Sequence, residues 1–261
     1  MPRPSIPSPL RAPLRASGLA VSTLARLGAV TAHQALVPHA DRDAVFDRHM
    51  RSWCHALLSM FGVRVEVTPS PPSKPAGSRL VVANHRSPAD IIVLLSLFGG
   101  QFLSTAGVAS WPILGAAARK AGTIFVERER GSSGASAIRT MRRRLKEGAT
   151  MLVFPEGTTF AGDEVRPFML GALSAAKGLE VEIVPVGLAY DPGAEWVDEP
   201  FSAYLKRIAS RPNATVAVRI GTPTRPGKGE DTAALSQRLR TEIQGLVTAA
   251  RSDHDRATRL S

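Results

Sequence analysis

Cysteine is almost missing: Cys54 stands alone in 261 residues, so neither an intramolecular disulfide nor a cysteine-based metal cage can form. That usage suits a reducing compartment. Aromatic side chains are scarce, with 9 Phe, 3 Trp and 2 Tyr, too few for a protein that grips single-stranded nucleic acid by stacking. Lysine supplies only 6 of the 33 basic side chains, and no acidic residue precedes Asp41. Nor is there a clean membrane-spanning run. The longest uncharged stretch, Ile91 to Ala118, is broken by Gly99, Gly100, Gln101, Gly107 and Pro112 and reads as two short elements.

What is present is apolar bulk and positive charge. A hydrophobic fraction of 44% builds a sizeable core, and 22 Gly with 20 Pro is too little for a low-complexity chain. At the usual ~100–200 residues per domain, the length predicts one large domain, or one with an appendage. The net charge of +11 rests mainly on arginine, which binds phosphate bidentately. Nucleic acid, anionic headgroups and phosphorylated substrates all fit such a charge.

The N-terminal segment is the most unusual. On a helix, Arg11, Arg15, Ser22, Arg26 and His33 fall within about 60° of one another, surrounded by Leu14, Leu19, Val21, Leu24, Leu27 and Val30. The pattern predicts a helix lying in the membrane interface, with apolar bulk in the acyl region and arginines at the phosphates. A presequence, or a packed helix with one exposed edge, would show the same stripe. Arg26 interrupts the apolar region that a secretory signal requires.

A second helix is expected from Asp43 to Phe61, with Phe46, Met50, Trp53, Leu57 and Met60 on one face. Val63 to Val67 alternates like a half-buried strand, and Thr68 to Ser78 is a Pro- and Ser-rich loop. From Arg79 onward, strands and helices alternate with short connections. Tyr190 to Pro212 reads as an irregular excursion before a last strand and helix. The fold class is therefore α/β: a mixed, largely parallel sheet covered by helices, preceded by a membrane-associating helical segment. Residues 1–61 form that lead-in, 62–250 the main domain and 251–261 a basic flexible tail.

Three fragments could carry chemistry. Asn84-His85-Arg86-Ser87-Pro88-Ala89-Asp90 lies at a strand end opening a helix. Ser87 and Pro88 suit the N-cap and first helical positions, so His85 falls in the turn and Asp90 in the first helical turn, where the two can meet. A carboxylate on one imidazole nitrogen fixes the tautomer and supports the imidazolium formed when the other takes a proton. Ser87-x-x-Asp90 equally fits a capping box. Phe154-Pro155-Glu156-Gly157-Thr158-Thr159 follows an apolar strand, at the sheet edge where open α/β sheets bind ligands. An ordinary turn with an exposed acid is the plainer reading. Gly122 to Arg128 would deliver Arg128 to the same edge, where it and Arg130 could bind a phosphate, or form no more than a solvated charge run.

Together these fragments resemble the glycerophospholipid acyltransferase family, which includes the 1-acyl-sn-glycerol-3-phosphate acyltransferases. Asn84-His85-x4-Asp90, Gly122-x-x-Phe125-x-x-Arg128, Phe154 to Thr159 and Ile183-Val184-Pro185-Val186 match in order and approximate spacing, and Trp111-Pro112-Ile-Leu-Gly115 also looks like the family. The resemblance spans roughly Arg79 to Val186. It implies transfer of a fatty acyl group from acyl-CoA or acyl-ACP to the hydroxyl of a lysophospholipid such as 1-acyl-sn-glycerol-3-phosphate. His85 would be the general base, Asp90 its orienting partner and Arg128 the phosphate binder. Asn84, Glu156, Gly157 and Thr158 would contact substrate. No metal and no cofactor beyond the thioester co-substrate are expected. The implied partners are the lysolipid, the thioester carrier and an anionic membrane surface at the cytoplasmic face of the cell membrane, not nucleic acid. The helix bearing Arg139 to Arg144 would add to that membrane contact.

One departure bears on the acceptor. Family members often carry a Lys shortly before the Trp-Pro segment, which would help handle the acceptor phosphate; here Ser104-Thr105-Ala106-Gly107 is uncharged. A lyso-aminolipid of the ornithine-lipid kind thereby gains ground. The rival readings are weaker. A basic nucleic-acid-binding protein leaves the four ordered blocks unexplained, and a non-catalytic lipid binder would not need them intact. A lipid esterase would need a Gly-x-Ser-x-Gly elbow, which is absent.

Overall fold

The computed structural model describes residues 8–110, 113–127, 131–227 and 229–259. Trp111, Pro112, Arg128 and Arg130 lie outside the described residues. Two helices open the chain, α1 (Ser8–Leu36) and α2 (Arg42–Phe61). The main domain then runs β1 (Val63–Thr68), β2 (Arg79–Ala83), α3 (Ala89–Phe98), β3 (Gln101–Thr105), α4 (Ala106–Ala109), α5 (Leu114–Lys120) and β4 (Ile124–Val126). It continues through α6 (Gly131–Lys146), β5 (Thr150–Val153), α7 (Leu170–Ser174), β6 (Glu182–Tyr190), α8 (Phe201–Ser210), β7 (Ala214–Ile220) and α9 (Thr232–Arg259).

The sheet has seven strands in the order β1-β7-β6-β2-β5-β3-β4. All neighbours are parallel except β6 and β7, so β1 and β7 run against the other five. The central strands are short apolar runs because both of their faces are buried. Along β2, Val81 and Ala83 enter a core shared with α2, α3 and α8, whereas Leu80 and Val82 enter one shared with α6, α7 and α9. Helix α9 crosses β6 at Gly187, where a Cβ would stand 2.5 Å from the backbone of Leu246 and Val247. Only glycine admits that approach.

Three expectations need correction. Tyr190 to Pro212 is irregular only in part: β6 extends to Tyr190, residues 191–200 are irregular, and Phe201, Tyr204, Leu205 and Ile208 form the buried side of α8. Residues 251–259 do not form a flexible tail but continue α9, held by Arg251 on Asp163 (2.7 Å), Asp253 on Arg219 (2.8 Å) and His254 on Asp191 (2.7 Å). The third correction concerns the orientation of α1.

The arginine stripe of α1 faces the protein. Arg15 is 6% exposed. Its guanidinium donates to the carbonyls of Met60 (2.8 Å), Ala209 (3.3 Å), Arg211 and Pro212 (3.1 Å). These are carbonyls at and just beyond the C-terminal ends of α2 and α8, which have no partners within their own helices and carry the negative end of the helix dipole. Arg11 donates to Ser210 O and Arg26 to Ser52, while His33 meets His49 at 3.1 Å. What points outward is Leu14 (55% exposed), Val21 (66%) and Leu24 (56%), with Leu10 alongside. Buried carbonyls compete for a guanidinium more effectively than solvent does, so the stripe turned inward and the leucines outward. Among the described residues, no helix is long and apolar enough to cross a membrane.

Candidate active site

The site forms where β2 ends. A turn from Asn84 to Pro88 leads into α3, and the His85 Nδ1–H donates to Asp90 Oδ2 at 2.7 Å. The same carboxylate oxygen accepts the backbone N–H groups of Arg86 (2.6 Å) and Ser87 (2.9 Å). Asp90 is therefore both cap and imidazole partner, and the two readings of the sequence coincide in one atom. Ser87 Oγ completes the cap by accepting Ala89 N–H at 3.2 Å. The Asp90 side chain is fully buried, whereas that of His85 is 17% exposed. With Nδ1 occupied, Nε2 is the nitrogen left for chemistry.

Both main-chain ends of His85 are fastened. Its N–H donates to Glu156 Oε1 at 2.7 Å, and its carbonyl accepts from Arg86 Nη1 at 2.7 Å and Phe160 N at 3.2 Å. Its ring stacks on Phe154 with centroids 4.1 Å apart and planes 13° from parallel. The strand-end block Phe154 to Gly157 thus supplies a latch and a platform for a histidine about 70 residues away in sequence.

Two residues expected to contact substrate are buried and hydrogen-bonded within the protein. Asn84 is fully buried, donating through Nδ2 to Leu188 O (2.9 Å) and accepting Leu188 N–H at Oδ1 (2.8 Å). It ties the end of β2 to β6 as a strand residue would. Glu156 is buried and holds His85 N, Arg166 N (2.8 Å) and the Arg86 guanidinium (3.0 and 3.3 Å). A carboxylate so occupied holds the turn together. Gly157 and Thr158 do face the cavity described below. Gly157 has φ +80°, a left-handed geometry that glycine adopts without strain. Arg128 lies outside the described residues.

Arg86 is the residue that sequence reasoning passed over. Its side chain is 2% exposed, and beyond Glu156 and His85 O it donates to Gly162 O (2.6 Å) and Glu164 O (2.8 Å). The available signal was a charge sitting beside the histidine in a turn, with a carboxylate in the next strand-end block to neutralise it.

His85 lines a cavity of about 400 Å³. The walls are predominantly apolar, from Leu103, Val126, Ile138, Met141 and Met169 among others, with Thr158 and Thr159 also in the lining. A predominantly apolar cavity with a histidine and a few hydroxyls in its lining suits a hydrocarbon chain bearing a reactive head. Among the described residues, no three His, Cys, Asp or Glu side chains gather in a way that could hold a metal. Cys54 is buried in α2, away from this cavity, its thiol pushed up to about 12 by burial and then by Asp47.

Comparison with known proteins gives a consistent result. The family model described as Acyltransferase matches residues 64–189. A lyso-ornithine lipid O-acyltransferase of Pseudomonas aeruginosa is 32% identical over 219 residues, covering 80% of this chain and 81% of that protein. A 1-acyl-sn-glycerol-3-phosphate acyltransferase of Neisseria meningitidis is 27% identical over 198 residues, covering 73% and 77%. In three dimensions, the crystal structure of the 1-acyl-sn-glycerophosphate acyltransferase from Thermotoga maritima matches with a TM-score of 0.69 at 20% identity. That match covers 92% of this chain and 98% of the other, which shows a shared fold.

Proposed function

The chain belongs to the acyltransferase family of lysolipid-acylating enzymes, and from that premise we propose that it moves a fatty acyl group from a thioester of coenzyme A or acyl carrier protein to the hydroxyl of a lyso-ornithine-type lipid. The observation that carries the reading is the His85–Asp90 pair, 2.7 Å apart, with His85 in the lining of the apolar cavity.

His85 Nε2 takes the acceptor's hydroxyl proton as its oxygen attacks the thioester carbonyl. The carbon–sulfur bond breaks, and the departing thiolate recovers the proton from the imidazolium. Asp90 stabilises that imidazolium through Nδ1 and keeps the ring in the tautomer that exposes a basic Nε2. General-base assistance of this kind contributes about 10²–10⁴-fold. The donor's acyl chain occupies the cavity, with Thr158 and Gly157 beside the reacting carbonyl.

Two observations favour a lyso-aminolipid acceptor: the name of the Pseudomonas relative, and the uncharged stretch Ser104 to Gly107 where a phosphate-handling Lys would be expected. Lysophosphatidic acid is the second reading, favoured by the name of the Neisseria relative and by Arg128. The membrane contact is made by the outward leucines of α1, not by its arginines. Incubating the purified protein with both lysolipids and both thioester carriers, then weighing the products by mass spectrometry, tests the assignment. Acylated lyso-ornithine lipid is expected, and its loss in His85→Ala. No acyl transfer to either lipid, or undiminished transfer in that variant, would overturn it.

A further inference from the structure

Helix α6 is two-sided. Gly134, Ala137, Ile138 and Met141 turn one face to the cavity that His85 lines. Arg139, Arg143 and Lys146 fall about 180° away around the helix, in one exposed stripe about 10 Å long. The other basic side chains of α6 are occupied. Arg142 donates to the carbonyls of Ala175 (3.2 Å) and Lys177 (2.6 Å), and Arg144 pairs with Glu147 at 3.3 Å. The three of the stripe have no carboxylate partner among the described residues. Like charges at spacings of four and three repel along a helix, a strain that an acidic partner would relieve.

The stripe does not share a side with the membrane contact. Leu19 of α1 packs with α2, α3 and α8 against one face of the sheet, whereas Ala137, Met141 and Leu145 of α6 pack with α7 and α9 against the other. With the outward leucines of α1 on lipid, the arginines of α6 look into water. The direction of α6 is also fixed. It leaves the C-terminal end of β4 and returns to the start of β5, which runs parallel to β4 and to β2 in the sheet. Its first turn therefore lies at the strand edge that carries His85. A body seated on the stripe stands beside that edge, separated from the cavity by the thickness of one helix.

We infer that Arg139, Arg143 and Lys146 form the docking surface for the carrier of the acyl donor, and that this carrier is the acidic acyl carrier protein rather than coenzyme A. The inference rests on the acyl-transfer reading and names the donor that the reading leaves open. Acyl carrier protein is a small protein rich in Asp and Glu, so it meets the stripe with opposite charge over several residues, which speeds encounter and fixes orientation. A nucleotide calls for a concave site, whereas three side chains along the outside of a helix offer a convex one that suits a protein partner. An anionic membrane would answer to the same charge, but it lies on the side of α1.

Arg139→Glu with Arg143→Glu reverses two charges on the exposed face and leaves the cavity wall intact. With the same fatty acyl group loaded on both carriers, the KM for a bacterial acyl-acyl carrier protein should rise more than tenfold. The kcat, the KM for the acyl-CoA and the sedimentation with vesicles should stay within about twofold. Arg139→Gln with Arg143→Gln, which lessens repulsion within the helix, should raise the carrier-protein KM about threefold and serves if the reversed pair fails to fold. NMR titration of the unacylated carrier protein with the enzyme should show binding to the wild type that weakens in the same order. Equal rises for both thioesters, an unchanged KM for the carrier protein, or loss of vesicle binding in the variants would overturn the inference, as would a wild type that accepts only the coenzyme A thioester. A wild type that acylates no lysolipid from either donor would sink the functional reading and still leave the titration to decide on the stripe.

Discussion

Replacing Glu156 with Gln removes one charge and almost no volume from the latch behind the histidine. In the native protein its carboxylate accepts His85 N, Arg166 N and the Arg86 guanidinium, in a pair whose side chains are 0% and 2% exposed. The amide keeps one acceptor oxygen and turns an NH₂ group toward the remaining donors. The Arg86 guanidinium is left buried without a counter-charge, which costs about 3–5 kcal/mol. At roughly 2–4 °C per kcal/mol for a chain of this size, Tm should fall by about 6–20 °C. Loosening the turn misplaces the imidazole, so kcat should drop about 10²-fold while the acceptor KM changes by less than about threefold. Thermal melts and steady-state kinetics on the same preparation read both quantities. An unchanged Tm with an acceptor KM raised tenfold at constant kcat would mean that Glu156 touches the lipid, and the latch argument would be wrong.

Arg15→Ala strips the partner from four carbonyls at two helix ends and should lower stability by about 2–4 kcal/mol in urea unfolding; a loss below about 0.5 kcal/mol would show that water replaces the guanidinium freely. Glutamate at Leu14, Val21 and Leu24 together should reduce vesicle sedimentation more than tenfold, at about 1 kcal/mol for each half-exposed side chain withdrawn from lipid. Because the arginine stripe is occupied within the protein, the wild type's binding through this face should change little with salt; loss of binding on raising salt alone would return the contact to the arginines. Cys54, with its thiol pushed up to about 12, should resist thiol reagents at pH 8 in the native state and react on unfolding; rapid native labelling would contradict its burial.

The α/β alternation was legible because the central strands are short apolar runs and the helices between them carry regular periodicity. The strand order was not, since pairing β6 with β7 and β7 with β1 joins segments up to about 150 residues apart. Helix α8 was lost among Asp191-Pro192-Gly193 and Pro200, whose turn chemistry masks the spacing of Phe201, Tyr204, Leu205 and Ile208. Periodicity revealed the stripe of α1 but not its direction, because carbonyls near residues 60 and 210 decide that and no local pattern contains them. At the site, the histidine and aspartate could be paired from their positions around Ser87-Pro88. The anchoring bonds of Asn84 and Glu156 were not legible, because motif membership does not tell a group that meets a ligand from one that anchors the turn beneath it. Arg86 was missed for a related reason, as its partner Glu156 is brought close only by the sheet.

The fastening of α1 by Arg15 bears on how the enzyme can be handled at the bench. Trimming an oily leader is a common way to make a lipid enzyme behave in aqueous buffer. Here such a cut, taken beyond residue 15, would remove the stopper from two other helices at once. The shortened product would exchange a greasy exterior for fraying beside α8, which braces the loop that grips the histidine's turn through Trp196 N–H on Arg86 O at 2.9 Å. Exchanging the outward leucines for polar residues, with the arginine kept, is the gentler route to a soluble form.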